Sequence, residues 1–96
     1  MIARRLVEGT AYLPPMTLVT PLPFTLELRD GERLAVVGDA VAFFKHLSPA
    51  QQEAHYWRRA IRMFDTAVQE PTYLRTATIC LQTALLMEQL LAEPPP

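Results

Sequence analysis

The stretch that decides the fold is residues 48–92, SPAQQEAHYWRRAIRMFDTAVQEPTYLRTATICLQTALLMEQLLA, which a single proline, Pro71, divides in two. In each half, apolar residues recur at alternating steps of four and three. They are Ala50, Ala54, Trp57, Ile61, Phe64 and Val68 before the proline, and Tyr73, Ala77, Cys80, Ala84, Met87 and Leu91 after it. This spacing puts each set on one helix face, which needs a surface to pack against. We predict two long amphipathic helices.

The ends of these helices carry recognisable signals. Ser48 is the expected N-cap of the first, followed by Pro49 at the first helical position and by Gln51, which can close a capping box. Glu70 precedes a proline and is disfavoured in helical geometry, so the helix should end at about Gln69. Thr72 is the expected cap of the last helix, which runs from Tyr73 to about Ala92. We predict a helical hairpin; one helix kinked at Pro71 is the alternative.

Residues 24–37 predict a β-hairpin, because apolar and polar residues alternate around an Asp-Gly turn. A two-residue loop at Asp30-Gly31 would turn the apolar side chains of the second strand outward. A three-residue loop, Arg29-Asp30-Gly31 with Gly31 in the left-handed bulge position, puts the apolar side chains of both strands on one face of the hairpin and the polar ones on the other. The resulting cross-strand pairs are Leu26 with Leu34, Phe24 with Val36, and Glu27 with Arg33.

The remaining segments complete an α+β domain of two strands followed by three helices. Asp39 is expected to cap a short helix, Ala40 to His46. Residues 1–23 are predicted to be an extended, proline-rich lead-in, in which Leu18 and Val19 could form an extra edge strand. Residues 24–92 then form a single small domain, and residues 93–96 form a disordered proline tail.

Composition limits the setting and the partners. The chain has 96 residues and a formal net charge of -1, so it has no overall field that would attract nucleic acid or an anionic membrane. Its one cysteine, Cys80, cannot form an internal disulfide, and residues 1–8 lack the apolar core of a signal peptide. The longest uncharged helical stretch, residues 76–87, is too short to span a bilayer. The excess of arginine over lysine, with abundant Ala, Pro and Leu, suggests a bacterial protein, which we expect to be cytoplasmic.

The elements follow in the order strand, Asp-Gly turn, strand, short helix, long helix and last helix. Certain residues mark them: Ala42 in the short helix, Ala60 and Ala67-Val68 in the long helix, and Leu74-Arg75 at the start of the last one. Over residues 22–92 this arrangement resembles a family of short alphaproteobacterial proteins, common in rhizobia and catalogued only as a domain of unknown function. The family usually has cysteine where this chain has Phe64, and glycine where it has Glu70. The resemblance implies a small α+β fold and no activity or cofactor.

The sharpest candidate site is a cationic helix face made of His55, Arg58, Arg59 and Arg62. Arginines in a row can grip phosphate or carboxylate groups, so an anion or nucleic acid is a possible ligand. Against this, Asp65 and Glu53 lie nearby on the same helix and the chain is not basic overall. A solvated helix face is the plainer interpretation.

Catalytic, cofactor and metal sites are not expected. His46 and His55 are nine residues apart with Cys80 on another helix, which matches no metal-ligand spacing. Cys80 is expected to act as a small hydrophobe, and Ser48 as a helix cap. Trp57 belongs to the apolar stripe and is expected in the core, whereas Tyr56 is undecided between the core and stacking on a ligand.

The last helix is apolar on more than one side, because five leucines widen its stripe. These residues are Leu74, Leu81, Leu85, Leu86 and Leu90. An uncovered apolar strip usually marks an interface, and a twofold homodimer is the commonest solution. We therefore predict a non-enzymatic interaction module, either self-associating through its last two helices or binding another protein. Binding of an anion or nucleic acid by the cationic face is the alternative.

Overall fold

The computed structural model describes residues 16–92, which form an α+β unit with two strands followed by helices, as the sequence predicted. The elements are β1 (Pro21–Glu27), β2 (Arg33–Val36), α1 (Val37–Lys45), α2 (Pro49–Glu53), α3 (His55–Gln69) and α4 (Leu74–Met87), with a 3-10 turn at Pro71–Tyr73. Expectations for residues 1–15 and 93–96 lie outside the described residues. No helix within the described range is long and apolar enough to cross a membrane.

The turn of the hairpin has the predicted three-residue loop. The amide of Gly31 donates to the carbonyl of Leu28 at 3.0 Å, and the amide of Leu28 donates to the carbonyl of Glu32 at 2.8 Å. Gly31 has φ 93°, the left-handed conformation that glycine adopts at little cost. Asp30 adds a side-chain bond, accepting from the amide of Glu32 at 2.9 Å.

The predicted strand register is confirmed next to the turn, but the prediction is wrong at the far end of the hairpin. Leu26 lies opposite Leu34, and Glu27 lies opposite Arg33 with their side chains in an exposed ion pair of 3.6 Å. Val36, however, pairs with Pro21 and not with Phe24, because the register shifts between Pro21 and Leu26. Between them lies Pro23, which has no amide to donate to the hydrogen-bond ladder of the strands.

The strand begins at Pro21, so the expected boundary at residue 24 falls inside it. Leu18 and Val19 form a turn and not an edge strand, and the amide of Thr20 donates to the carbonyl of Thr17. The carbonyl of Leu18 accepts from the amide of Gly38 at 2.8 Å. A Cβ on Gly38 would lie 3.0 Å from that oxygen, so glycine permits the close approach.

Helix α1 begins three residues earlier than predicted. Asp39 is the third residue of the helix and not its N-cap. Its carboxylate reaches back to the amides of Ala35 at 2.8 Å and Val36 at 3.1 Å, so it still binds amides at the start of the helix. The negative charge also suits the positive end of the helix dipole.

The predicted helix from Pro49 to Gln69 is two helices. The capping box at its start is confirmed: the amide of Gln51 donates to the Ser48 hydroxyl at 3.1 Å, and the Gln51 side chain accepts from the amide of Ser48 at 2.8 Å. The helix then stops at Glu53, because Ala54 is extended with φ -68° and ψ 136°. Neither glycine nor proline marks this break.

The helical hairpin is confirmed. Glu70 is extended, with φ -133° and ψ 94°, so α3 and α4 are separate helices packed side by side. Thr72 does not cap the last helix, since the N-cap is Tyr73 and no side chain bonds there.

The buried faces of these helices are rotated from the predicted stripes. On α3 the buried residues are Trp57, Ala60, Phe64 and Ala67, and on α4 they are Leu74, Ala77, Thr78, Leu81, Ala84 and Leu85. Four residues of the predicted stripes, Ala50, Val68, Tyr73 and Met87, are exposed. Each buried face contains two alanines, Ala60 and Ala67 on α3 and Ala77 and Ala84 on α4.

The predicted extension of the last helix to Ala92 is wrong, since α4 ends at Met87. Gln89 has φ 59°, and the amide of Leu90 donates to the carbonyl of Leu85 at 2.9 Å, which forms a Schellman-type stop. The chain then returns to β1, where Leu28 pairs with Leu91 and the amide of Ala92 donates to the carbonyl of Glu27 at 2.8 Å.

Candidate functional site

The four residues of the predicted cationic face come together in one groove between α3 and α4. The groove has a volume of about 570 Å³. Its lining residues are His55, Tyr56, Arg58, Arg59 and Arg62 from α3, and Thr83 and Met87 from α4. We call this surface the α3–α4 groove. It contains no carboxylate among its lining residues.

The arginines of the α3–α4 groove have no anionic partner in the part of the chain that the structure describes. Within residues 16–92, Arg58, Arg59 and Arg62 form no salt bridge. Asp65, which lies three residues after Arg62, lines a different groove beside α1 and so does not neutralise the cluster. Asp65 was one of three observations against an anion site on this face, with Glu53 and the absence of a basic excess; among residues 16–92 it forms no salt bridge with Arg62.

Tyr56 links the groove to a polar cluster at the end of α4. Its hydroxyl donates to one oxygen of Glu88 at 3.1 Å, while the side-chain amide of Gln51 donates to the other at 2.7 Å. The bond to Glu88 is the main reason that the pKa of Tyr56 is raised, followed by desolvation and the neighbouring negative charge. Tyr56 is therefore held in place, and the sequence alone could not have shown this partner.

Several donors lower the pKa of Glu88 and so favour its ionised form. Burial by itself raises the pKa of Glu88, but donors from Gln51, Trp57 and Tyr56 outweigh burial and hold the pKa below its ordinary value. The indole Nε1 of Trp57 is fully buried and lies close enough to contribute to this effect, although its geometry falls short of a hydrogen bond. Trp57 itself is in the core, as predicted.

The predicted leucine interface needs correction. Leu74, Leu81 and Leu85 are buried inside the monomer, and Leu90 is half-buried against the same core. The hairpin covers α4 more fully than expected, because β1 packs directly against it. Of the five predicted residues, only Leu86 is exposed.

The apolar surface that remains exposed on α4 is a different set. Ile79, Leu86 and Met87 have 44%, 58% and 59% of their surface exposed. Their spacing of seven and one puts them on one side of the helix. We call them the α4 outer strip; Met87 also lines the α3–α4 groove, so the strip and the arginines are neighbours.

The remaining candidates for a chemical role are the possible metal ligands, the two histidines and the cysteine. Within the described range, no group of three or more His, Cys, Asp and Glu side chains could hold a metal ion. His46 is exposed at the end of α1 and bonds to the carbonyl of Ala42 at 2.8 Å, whereas His55 lies against Tyr56 on α3. The thiol of Cys80 is free and half-buried.

Comparisons with known proteins do not add a family. No protein-family model, no curated protein and no solved structure matches the chain. The resemblance to the alphaproteobacterial family therefore stays a prediction.

Proposed function

We propose that this chain is a non-enzymatic interaction module that binds a protein partner across the α3–α4 groove and the adjoining α4 outer strip. The observation that carries the proposal is the convergence of three arginines without an anionic partner in residues 16–92 and an exposed apolar strip on one surface. Arginine and methionine are enriched at protein interfaces, where apolar contacts provide area and charged groups provide orientation.

The partner in this proposal is a different protein. In a twofold dimer the same patch meets itself, so Arg58, Arg59 and Arg62 would face the same three arginines of the second copy and repel them. The groove has no carboxylate in its lining to balance them. Self-association is the second candidate, supported by Leu86 and Ile79, which could pair with a second copy while the arginines stay at the rim.

The proposed setting is the bacterial cytoplasm, without a cofactor. The single free cysteine supports it, because disulfides are rare in that compartment.

The test is site-specific photocrosslinking in cells that express the chain. A photoreactive benzophenone amino acid at Met87 should give one discrete crosslinked species after irradiation. The matched control is the same amino acid at Val19, which is more exposed at 78% but lies outside the groove. A species heavier than the monomer by something other than a second copy supports the proposal. A crosslinked dimer would replace it with self-association, and equal or absent crosslinking at the two positions would overturn it.

A further inference from the structure

We propose that the partner segment in the α3–α4 groove is an acidic amphipathic helix. This inference rests on the proposed function and deepens it, because it names the chemistry of the occupant. Charge complementarity carries the argument: Arg58, Arg59 and Arg62 line the groove and have no salt bridge among residues 16–92.

The spacing of the cations suits carboxylates on a helix. His55, Arg59 and Arg62 follow one stripe, and a helix rises 1.5 Å per residue. Arg59 and Arg62 are therefore about 4.5 Å apart along the axis, and His55 and Arg62 about 10.5 Å. A partner helix lying nearly parallel to α3 repeats the same intervals when its acidic residues are three, four and seven apart. Its carboxylates can then accept paired N–H bonds from each guanidinium.

The second wall of the groove is suited to apolar side chains. Met87 lines it, and Leu86 and Ile79 extend the apolar surface along α4. A helix with acidic residues on one stripe and leucines on the next would place both against matching surfaces, as in other complexes of a helix bound in a groove. Methionine adapts its shape to such ligands.

Nucleic acid matches this surface less well. Its backbone offers charge but no aliphatic side chains for Ile79, Leu86 and Met87. Two rings in the lining could stack on a base, the imidazole of His55 and the phenol of Tyr56. The hydroxyl of Tyr56 is bonded to the carboxylate of Glu88. The chain also has a net charge of -1, whereas nucleic-acid-binding domains usually carry a basic excess.

The experiment measures binding of labelled synthetic peptides to the full chain by fluorescence anisotropy at low and moderate salt. The probe is a helix-forming peptide with glutamates three, four and seven apart and leucines on the adjoining face. The control peptide has glutamine at every glutamate. We expect the acidic peptide to bind about tenfold tighter or more, with the advantage reduced by salt.

Matched protein variants locate the binding. The double variant R59E and R62E should lose the preference for the acidic peptide, and should instead prefer a peptide with lysine at those positions. The double variant R33E and K45E changes the net charge equally but outside the α3–α4 groove, and it should bind as the wild type does. If R59E and R62E together prevent folding, R59Q with R62Q replaces them and should abolish the preference without reversing it.

Three results would overturn the inference. The first is equal affinity for the glutamate and glutamine peptides. The second is equal loss in both double variants. The third is an RNA or DNA oligonucleotide that binds through Arg59 and Arg62 while the acidic peptide does not. A crosslink from Met87 to a protein partner combined with the first result would remove the acidic helix and leave the proposed function standing.

Discussion

The two faces of α4 contain the same kinds of side chain and have opposite surroundings. Leu81 and Leu85 on the inner face are fully buried beneath the hairpin and α3. Leu86 and Met87, the next residues along the chain, are more than half exposed. Leucine is present on both faces, so residue type does not decide which one becomes the core. The neighbouring elements decide it, and the face that they leave uncovered is the candidate binding surface.

Truncation of two adjacent leucines, one from each face of α4, should have the largest difference in effect. Leu85→Ala should lower the free energy of unfolding by about 2–5 kcal/mol, because it opens a cavity in a well-packed core. Leu86→Ala should change it by less than about 0.5 kcal/mol, since that side chain is exposed. Urea unfolding followed by circular dichroism measures both. Similar losses in the two variants would show that Leu86 is also covered in the folded protein.

The polar cluster at the end of α4 should make stability depend on pH. Because the pKa of Glu88 is lowered in the folded protein, its contribution is present above the unfolded pKa and is lost as pH falls through the folded value. Glu88→Gln should cost about 1 kcal/mol at neutral pH, a modest value because the carboxylate is only partly buried.

The difference between wild type and Glu88→Gln should shrink as the pH falls from neutral through the ordinary glutamate pKa of 4.5 and then through the lower pKa of the folded protein. Urea unfolding at several pH values measures it. A difference that does not change over this range would mean that the carboxylate charge contributes nothing.

Substitution at the C-terminal end of α4 should change stability by a smaller amount, and a glutamine inside the same helix provides the control. Gln89 has φ 59°, which glycine adopts more readily than other residues, so Gln89→Gly should raise the free energy of unfolding by about 0.5–1 kcal/mol. The same change at Gln82, inside α4, should lower it by about 1 kcal/mol. Thermal unfolding should therefore shift in opposite directions. Destabilisation by both changes would contradict the left-handed conformation at Gln89.

The smallest effect concerns the cationic wall of the groove. Arg58 and Arg62 are four residues apart with like charge, which destabilises a helix by a few tenths of a kcal/mol. Arg62→Gln should therefore stabilise the chain by about 0.2–0.5 kcal/mol at low salt and by nothing at high salt. Arg33→Gln, which removes the ion pair with Glu27, should not stabilise it. A loss of stability in Arg62→Gln would indicate that Arg62 supports the fold.

Local chemistry predicted some elements correctly because single residues determine them. The loop around Gly31 and the capping box of Ser48 and Gln51 depend on a few neighbouring residues, and both are confirmed. The break at Ala54 has no such marker. Nothing near it in the chain reveals that Gln51 bonds to Glu88, a residue 37 positions away.

The candidate site, too, has one part that neighbouring residues predict and one part that depends on tertiary packing. His55, Arg58, Arg59 and Arg62 lie on one helix, so their spacing alone predicted that they would share a face. Thr83 and Met87 complete the groove from α4, and they could not be assigned to it before the packing of the two helices was known. Leu74, Leu81 and Leu85 were expected on an uncovered surface and are buried, since the sequence does not reveal how β1 covers α4.

The return of residues 90–92 to β1 also bears on how a partner can attach. Exposed strand edges recruit strands from other chains, and native proteins block them. Here the edge beside residues 27–29 is already occupied, because Arg29 donates to Leu90 and Ala92 donates to Glu27. Further along the same strand, Pro21 and Pro23 have no amide to offer. Strand addition at β1 is thus blocked along much of its length, so a partner that reaches this edge of the sheet has to bind through side chains.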